Sequence, residues 1–193
     1  LRPAKGANNS VLPEDKIGMH LNGVPFKLVT DSANIDVPSW KYNQFQQLSK
    51  DAYNGYLNTD TGEYSYIGRP KGTYTEDSTK HSPLLGYAID GFPIYGKYGY
   101  VNADGSGGVT EMLSSYQLKA GSRPTLLEGG VGGVYDGTYM NDYEYIEGLG
   151  NLDDCNGIFA ATPEYPDGIY HYHAIDEFPY VIKEFHGQPT FSE

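Results

Sequence analysis

Hydrophobic residues in this chain come in short runs that are interrupted by glycine, proline and asparagine. Residues 17–29 place apolar residues on both sides of an Asn-Gly dipeptide, a combination typical of a β-hairpin with a tight turn. Residues 80–100 form the longest apolar stretch, and the Asp-Gly dipeptide within it predicts two buried strands joined by a second tight turn. The pattern therefore predicts many short strands separated by turns.

One segment carries a helical pattern. Apolar residues recur at approximately helical spacing between Trp40 and Ala52, Ser39 can cap the first turn, and Gly55 would end the helix. We therefore expect one short helix within residues 40–54.

The turn residues and the segment boundaries give the expected fold class. The chain of 193 residues contains 25 glycines and 12 prolines, which favours a loop-rich β protein. We predict a mostly β fold, built as a single-domain β-sandwich or an irregular β-barrel with long Gly/Asx-rich loops and one short helix. Residues 1–15 are predicted to form an extended N-terminal arm, and residues 16–193 the domain.

The charge of the chain narrows the classes of partner. It carries 25 acidic and 13 basic residues, for a net charge of −12. This balance argues against nucleic-acid binding and against electrostatic binding to an anionic membrane, because both need a basic surface. No run of 18 apolar residues is present, so membrane insertion is not predicted either. An acidic surface is compatible with cation binding and with an extracellular location.

The chemically most distinctive stretch is Tyr170-His171-Tyr172-His173, which holds two of the five histidines. Because side chains alternate along a strand, this segment would place two phenols on one face and two imidazoles on the other. Two imidazoles on the same face can ligate one metal ion, and imidazole suits copper and zinc. A packing role for these histidines within a sheet is the alternative.

Four further segments lie in a recognisable order around this tetrapeptide. They are LNGVPF at 21–26, HSPLLGYAIDGFPIYG at 81–96, SSYQLK at 114–119 and GNLDDCNGIFAATPEYPDGIYHYH at 150–173. Together they make the chain resemble the YHYH-domain family from about residue 17 onward. The resemblance implies a β-rich domain in an extracellular or cell-envelope location, and its histidine motifs imply metal binding.

The chain departs from the family pattern in two places. Ser65 occupies the centre of a Tyr-Ser-Tyr segment where family members often carry a further histidine, so a site built from both segments would be depleted here. Glu184 stands where members often place a second cysteine, and Cys155 is the only cysteine of this chain. An internal disulfide is therefore impossible.

The metal hypothesis needs a third ligand beside His171 and His173. The candidates are, in order of preference, His81, His186 and His20, and Asp90 or Asp176 could supply a carboxylate oxygen. The expected cofactor is a transition metal, copper or zinc.

Calcium is a second possible ion. Asn58 and Asp60 offer oxygen ligands at alternate positions before a glycine, like part of a calcium loop, although the full twelve-residue pattern is missing. Asn and Asp are also ordinary turn residues, so a turn that binds no calcium is the alternative.

Two functional hypotheses follow. The first is an extracellular protein that binds a metal ion through a histidine cluster. The alternative is a structural subunit of an extracellular filament, sheath or matrix that self-assembles through a Tyr-rich surface and the arm at 1–15. No catalytic residue set or nucleotide motif is visible in the sequence, so an enzymatic activity is the less favoured reading.

Overall fold

The structure is a computed structural model that describes residues 3, 5–10, 16–28 and 34–189, without the side chains of 7–10. Within these residues there is one α-helix, α1 (Gln44–Gln47). The described strands are β1 (Lys5–Ser10), β2 (Lys16–His20), β3 (Pro25–Lys27), β4 (Gly55–Leu57), β5 (Tyr64–Tyr66), β6 (Leu84–Ala88), β7 (Pro93–Tyr95), β8 (Tyr98–Tyr100), β9 (Val109–Glu111), β10 (Tyr116–Leu118), β11 (Tyr143–Tyr145), β12 (Gly157–Ala160), β13 (Ile169–His173) and β14 (Phe185–Gly187).

One large sheet organises the fold. Its eight strands follow the order β12-β13-β7-β6-β2-β3-β5-β4, and three two-stranded sheets, β1-β14, β8-β9 and β10-β11, accompany it. The large sheet is open at β12 and at β4, so the described strands form no closed barrel. The predicted mostly β fold with one short helix is confirmed.

Both predicted hairpins are present in this sheet. Strands β2 and β3 pair antiparallel around the first turn, and β6 and β7 pair antiparallel around the second. The turn glycines, Gly23 and Gly91, have φ angles of 85° and 88°, which a residue without Cβ adopts without strain. These hairpins place β6 and β7 in the middle of the sheet, where β7 lies parallel to β13.

The helix is much shorter than the sequence pattern predicts. Residues before it are drawn into tertiary contacts: the Trp40 indole packs edge-on against Tyr139, and its Nε1 donates a hydrogen bond to the Gly129 carbonyl. The helix ends at Gln47, because the next residue, Leu48, has extended backbone geometry, and Asn54 then adopts a φ of 61°. Tertiary packing therefore overrides the helical spacing of apolar residues between 40 and 54.

The predicted N-terminal arm at 1–15 falls partly outside the described residues, which omit 1–2, 4 and 11–15. Its strand β1 pairs antiparallel with β14 of the same chain, with Lys5 opposite Gly187. No helix among the described residues is long and apolar enough to span a membrane.

The core follows the large sheet and is rich in aromatic residues. Phe26, Ile94, Tyr172 and Phe185 are completely buried within its main cluster. Burial of each such side chain contributes about 1.5–3 kcal/mol to the stability of the fold. A second cluster of Met112, Leu152 and Ile175 lies apart from the main cluster. Tyr172, the second tyrosine of the Tyr170–His173 tetrapeptide, is thus a central core residue rather than a surface group.

Candidate metal centre

Strand β13 carries the tetrapeptide between two neighbours in the large sheet. It pairs antiparallel with β12 on one side and parallel with β7 on the other, so its backbone is hydrogen-bonded along both edges. The four residues from Tyr170 to His173 are all buried. Their contacts show the predicted alternation, because the two tyrosines and the two histidines meet different sets of side chains.

The tyrosine face fixes the strand to two other parts of the chain. The Tyr170 hydroxyl donates to the Asp153 carboxylate at 2.9 Å, and the Tyr172 hydroxyl donates to Asp90 Oδ2 at 2.6 Å. The Tyr172 hydroxyl also accepts a hydrogen bond from the His186 backbone N–H at 2.8 Å, which attaches β14. These buried hydrogen bonds determine the position of the strand and therefore of the imidazoles on its other face.

The histidine face contains a cluster of three imidazoles. His81, which precedes β6 in the chain, joins the two histidines of β13. Its ring centroid lies 6.0 Å from that of His171 and 6.1 Å from that of His173, and the latter two are 4.9 Å apart. The structure therefore brings together the three histidines that the sequence ranked first. We refer to His81, His171 and His173 as the histidine cluster.

Every ring of the histidine cluster is oriented by a backbone carbonyl. His81 Nδ1 lies 2.8 Å from the Ser82 oxygen, His171 Nδ1 lies 2.9 Å from the Ile169 oxygen, and His173 Nδ1 lies 2.6 Å from the Gly96 oxygen. A carbonyl oxygen only accepts, so each Nδ1 carries the hydrogen and donates it. In the neutral ring, Nε2 is then the nitrogen with the free lone pair. Histidines that bind metals are commonly oriented by such a hydrogen bond from the other nitrogen.

Two of these free nitrogens are buried. His81 Nε2 and His173 Nε2 are closed off from solvent and have no hydrogen-bond partner among the described residues. A buried polar atom without a partner is costly, and such atoms in a native fold call for a ligand or another explanation. The donor set, with neutral imidazoles whose lone pairs are unused, fits a transition-metal ion.

The same burial keeps the cluster uncharged. Burial, reinforced by the neighbouring His81, lowers the pKa of His171 to about 4. Burial also lowers the pKa of His81, and burial together with His171 lowers the pKa of His173 well below the ordinary value of 6.5. All three rings are therefore neutral at neutral pH, which is the protonation state that ligates metals.

The three rings are close, but their ligand nitrogens do not all lie within 4.8 Å of one another. The only group of three His, Cys, Asp or Glu ligand atoms within 4.8 Å of one another in the described part of the chain is Asp153, Asp154 and Cys155. A tetrahedral ion with Zn–N bonds of about 2.0–2.1 Å would hold three nitrogens roughly 3.4 Å apart. Metal binding would therefore draw the three imidazoles towards one another.

The buried Tyr95 borders the cluster on its inner side. The Tyr95 ring packs edge-on against His81 and His171, with centroids 4.9 and 5.2 Å away, and its hydroxyl donates to Glu164 at 2.7 Å. On the outer side, His81 is 9% exposed and lines a surface groove of about 360 Å³ with Thr75, Asp77, Lys80, Ser82 and Pro83. His81 is thus the member of the cluster that meets solvent.

The other predicted transition-metal ligands lie elsewhere. His186 stacks on Tyr170 with ring centroids 3.6 Å apart, and Asp90 binds the Tyr172 hydroxyl, so both belong to the tyrosine face. His20, the third-ranked alternative, packs against Phe26 and Tyr66. These three residues and the histidine cluster are therefore at separate places in the fold.

The possible calcium ligands occupy the hairpin loop between β4 and β5. Asn58 Oδ1 accepts hydrogen bonds from the backbone N–H groups of Asp60 and Thr61 at 3.0 and 3.2 Å. This oxygen stabilises the turn, as expected for an Asx turn. Asp60 is exposed beside it.

Cys155 lies in an acidic environment. Burial, with Asp153 and Asp154 nearby, raises the pKa of its thiol, so the protonated form dominates at neutral pH. Asp153 already accepts hydrogen bonds from Tyr170, from the Gly157 N–H and from the Cys155 N–H. This group therefore serves to hold the turn before β12 against β13.

Sequence reasoning missed Tyr95 and the carbonyls that orient the rings. Tyr95 is one of 19 tyrosines, and no spacing sets it apart. It reaches the site because β7 runs parallel to β13 with Tyr95 opposite His173. Only this strand order, which the sequence does not reveal, would have identified Tyr95.

The comparison with family models agrees with the motifs. The model described as YHYH protein matches residues 1–187. The chain belongs to this family. No curated protein and no solved structure matches the chain. The assignment of a function therefore rests on the chemistry of the site.

Proposed function

We propose that this YHYH protein binds a transition-metal ion through His81, His171 and His173. The observation that carries the proposal is the common orientation of the three rings: each Nδ1 donates to a backbone carbonyl, and the lone pairs at Nε2 of His81 and His173 are buried without a partner. Such an arrangement prepares neutral imidazoles for a metal ion of the copper or zinc type.

A metal titration followed by calorimetry tests the proposal. The wild-type protein should bind about one Zn(II) or Cu(II) ion per chain, and the His171→Ala/His173→Ala variant should lose this binding. His186→Ala is the matched control, because it removes an imidazole from the tyrosine face and should leave the stoichiometry unchanged. Equal and negligible binding by all three proteins would refute the proposal.

Folding of the variants has to be compared separately. His81→Ala alters the most accessible member of the cluster and is the least disruptive single change. It should weaken metal binding while the thermal unfolding of the metal-free protein stays close to that of the wild type. The same titration with Ca(II) tests the loop at Asn58 and Asp60, with Asn58→Ala as the variant.

The acidic balance and the family resemblance support an extracellular or cell-envelope location as part of this proposal. Fractionation of the producing cells, followed by detection of the protein with an antibody, tests this location. Recovery of the protein only inside the cell would contradict it.

Self-assembly is the second candidate function, and one observation favours it. Phe159 is 62% exposed on β12, the strand at an open edge of the large sheet. Open edges can pair with another chain. The arm strand β1 already pairs with β14 of its own chain, so assembly through the arm would need an exchange of strands between chains. Sedimentation velocity of the wild type and of Phe159→Lys tests this candidate, and a concentration-independent monomer would exclude it.

A further inference from the structure

A methionine lies beside His173, next to the middle of strand β8. Gly99, in the middle of β8, has no side chain, and an ideal Cβ there would lie 2.8 Å from Met112 Cε and 3.1 Å from His173 Cε1. Met112 Cγ is 3.2 Å from the same point. The thioether sulfur lies between Cγ and Cε in the side chain, so the end of Met112 and the ring of His173 are neighbours beneath this glycine.

The position of Met112 is well defined by its surroundings. The residue is 1% exposed and packs with Leu152 and Ile175. Its backbone N–H donates to the Lys97 carbonyl at 2.7 Å, directly before β8 begins. The thioether is therefore held inside the fold and next to His173, whose Nε2 is one of the buried nitrogens without a partner.

The chemistry of a thioether points to one kind of ion. Imidazole binds zinc and copper alike. The thioether of methionine is a soft ligand that suits Cu(I), whereas the protein ligands of zinc are Cys, His, Asp and Glu. We infer that Met112 is a ligand of the histidine cluster and that the site prefers Cu(I) to Zn(II). This inference rests on the proposed metal-binding function and specifies its ion.

The other sulfur atoms of the chain provide controls. Met19 is 50% exposed on β2, and Met140 packs at the edge of the main core cluster, near Phe178 and Tyr180. Cys155 lies in the turn before β12, with its thiol among carboxylates. None of these residues shares the Gly99 site with His173.

Met112→Leu tests the inference, because leucine keeps the volume and the apolar character of the side chain and removes only the sulfur. Cu(I) affinity is measured under anaerobic conditions by competition with a chromophoric chelator, and Zn(II) affinity by calorimetry. We expect the variant to bind Cu(I) at least about tenfold more weakly. Zn(II) affinity should change by less than about twofold, because zinc does not need the soft ligand. Met140→Leu should retain both affinities.

The outcomes separate the two levels of the proposal. If the wild type binds Cu(I) and Met112→Leu binds it equally well, the inference about Met112 is wrong and the histidine site remains. If the wild type binds Zn(II) more tightly than Cu(I), the stated preference is wrong. If the wild type binds neither ion, the proposed function itself fails.

A second measurement does not depend on the folding of a variant. In the wild-type protein labelled with selenomethionine and loaded with Cu(I), the copper absorption edge should show a selenium neighbour. A coordination shell of nitrogen alone, or one with sulfur but no selenium, would overturn the assignment of Met112.

Discussion

Two kinds of buried histidine occur in this chain, and their hydrogen bonds distinguish them. His20 Nδ1 accepts a hydrogen bond from the Asn22 backbone N–H at 3.1 Å, so the hydrogen of its neutral ring is on Nε2. The rings of the histidine cluster donate from Nδ1 and keep the lone pair on Nε2. His20 Nε2 is also buried without a hydrogen-bond partner among the described residues, but it carries the hydrogen and offers no lone pair to a metal ion. Burial alone therefore does not identify a candidate ligand, and the tautomer distinguishes His20 from the proposed ligands.

Nitrogen-15 NMR of the metal-free protein should detect this difference. At pH 7, His81, His171 and His173 should each show a protonated Nδ1 and an unprotonated Nε2, whereas His20 should show the reverse. Long-range correlations between the ring nitrogens and carbon-bound hydrogens measure the tautomer directly. A cluster histidine that is protonated on Nε2 alone would contradict the proposed role of the orienting carbonyls.

A buried ion pair holds the glycine-rich segment that follows β10. Asp142 is fully buried, and Arg123 donates to it from Nε at 2.7 Å and from Nη2 at 2.6 Å. Arg123→Met should lower the free energy of unfolding by about 3–5 kcal/mol, because it leaves the carboxylate buried without its charged partner. Chemical denaturation measures the change. Lys80→Met, at an exposed ion pair with Asp77, is the control and should shift stability by less than about 1 kcal/mol.

At the scale of elements, strand β13 acts as the link between the core and the cluster. Its tyrosines bind Asp90 and Asp153, and its histidines face Tyr95 and His81. Because successive side chains point to opposite faces of a strand, the tyrosines and the histidines can make these separate contacts. Loss of a hydrogen bond on the tyrosine face should therefore destabilise the strand and the elements attached to it.

Tyr172→Phe tests this connection. The variant removes the hydroxyl that donates to Asp90 and accepts from the His186 N–H, and it should destabilise the fold by about 1–3 kcal/mol. Hydrogen exchange should become faster for the amides of β14 in particular. Tyr87→Phe, at a side chain 39% exposed, should stay within about 0.5 kcal/mol of the wild type. Equal effects of the two substitutions would contradict the role assigned to Tyr172.

Sequence patterns predict those elements whose geometry is set by residues close together in the chain. Both tight-turn hairpins and the alternation of β13 follow from turn chemistry and from the period of two. The helical spacing over 40–54 predicts a longer helix than Gln44–Gln47, because Trp40 packs against Tyr139 and donates a hydrogen bond to Gly129, 89 positions further along the chain. Spacing alone cannot report contacts that distant in sequence.

The site was predictable in part for the same reason. His171 and His173 share a face by strand geometry, so their pairing could be derived. His81 joins them through the strand order β13-β7-β6. His186 and Asp90 lie on the tyrosine face, and this placement also depends on the tertiary fold. Family motifs ranked His81 first without giving this order, and Met112 carries no sequence signal at all.

At the scale of the whole molecule, the neutral cluster should make stability depend on pH. The folded protein keeps His171, with a pKa of about 4, unprotonated at pH values where the unfolded chain, with a pKa near 6.5, binds protons. The contribution of such a histidine to the free energy of unfolding should be complete above about pH 6.5. As the pH drops towards 4, each buried histidine should lower the free energy of unfolding by up to about 1.4 kcal/mol per pH unit.

Denaturation curves of the wild type and of His171→Gln at pH 7, 6, 5 and 4 measure this effect. The variant should lose less stability than the wild type over this interval, because glutamine does not titrate. Comparing the two proteins removes the contribution of carboxylates such as Asp90 and Asp153, which both contain. Parallel pH curves for the two proteins would contradict a neutral buried His171.

The most direct test of metal binding by the histidine cluster is a titration of the nitrogen-15-labelled protein with Zn(II), which is diamagnetic and leaves every ring observable. The Nε2 signals of His81, His171 and His173 should shift together until one equivalent is added, while their Nδ1 hydrogens remain in place. His20 and His186 should not change. Unchanged cluster signals at saturating Zn(II), or shifts confined to His186, would contradict the proposed site.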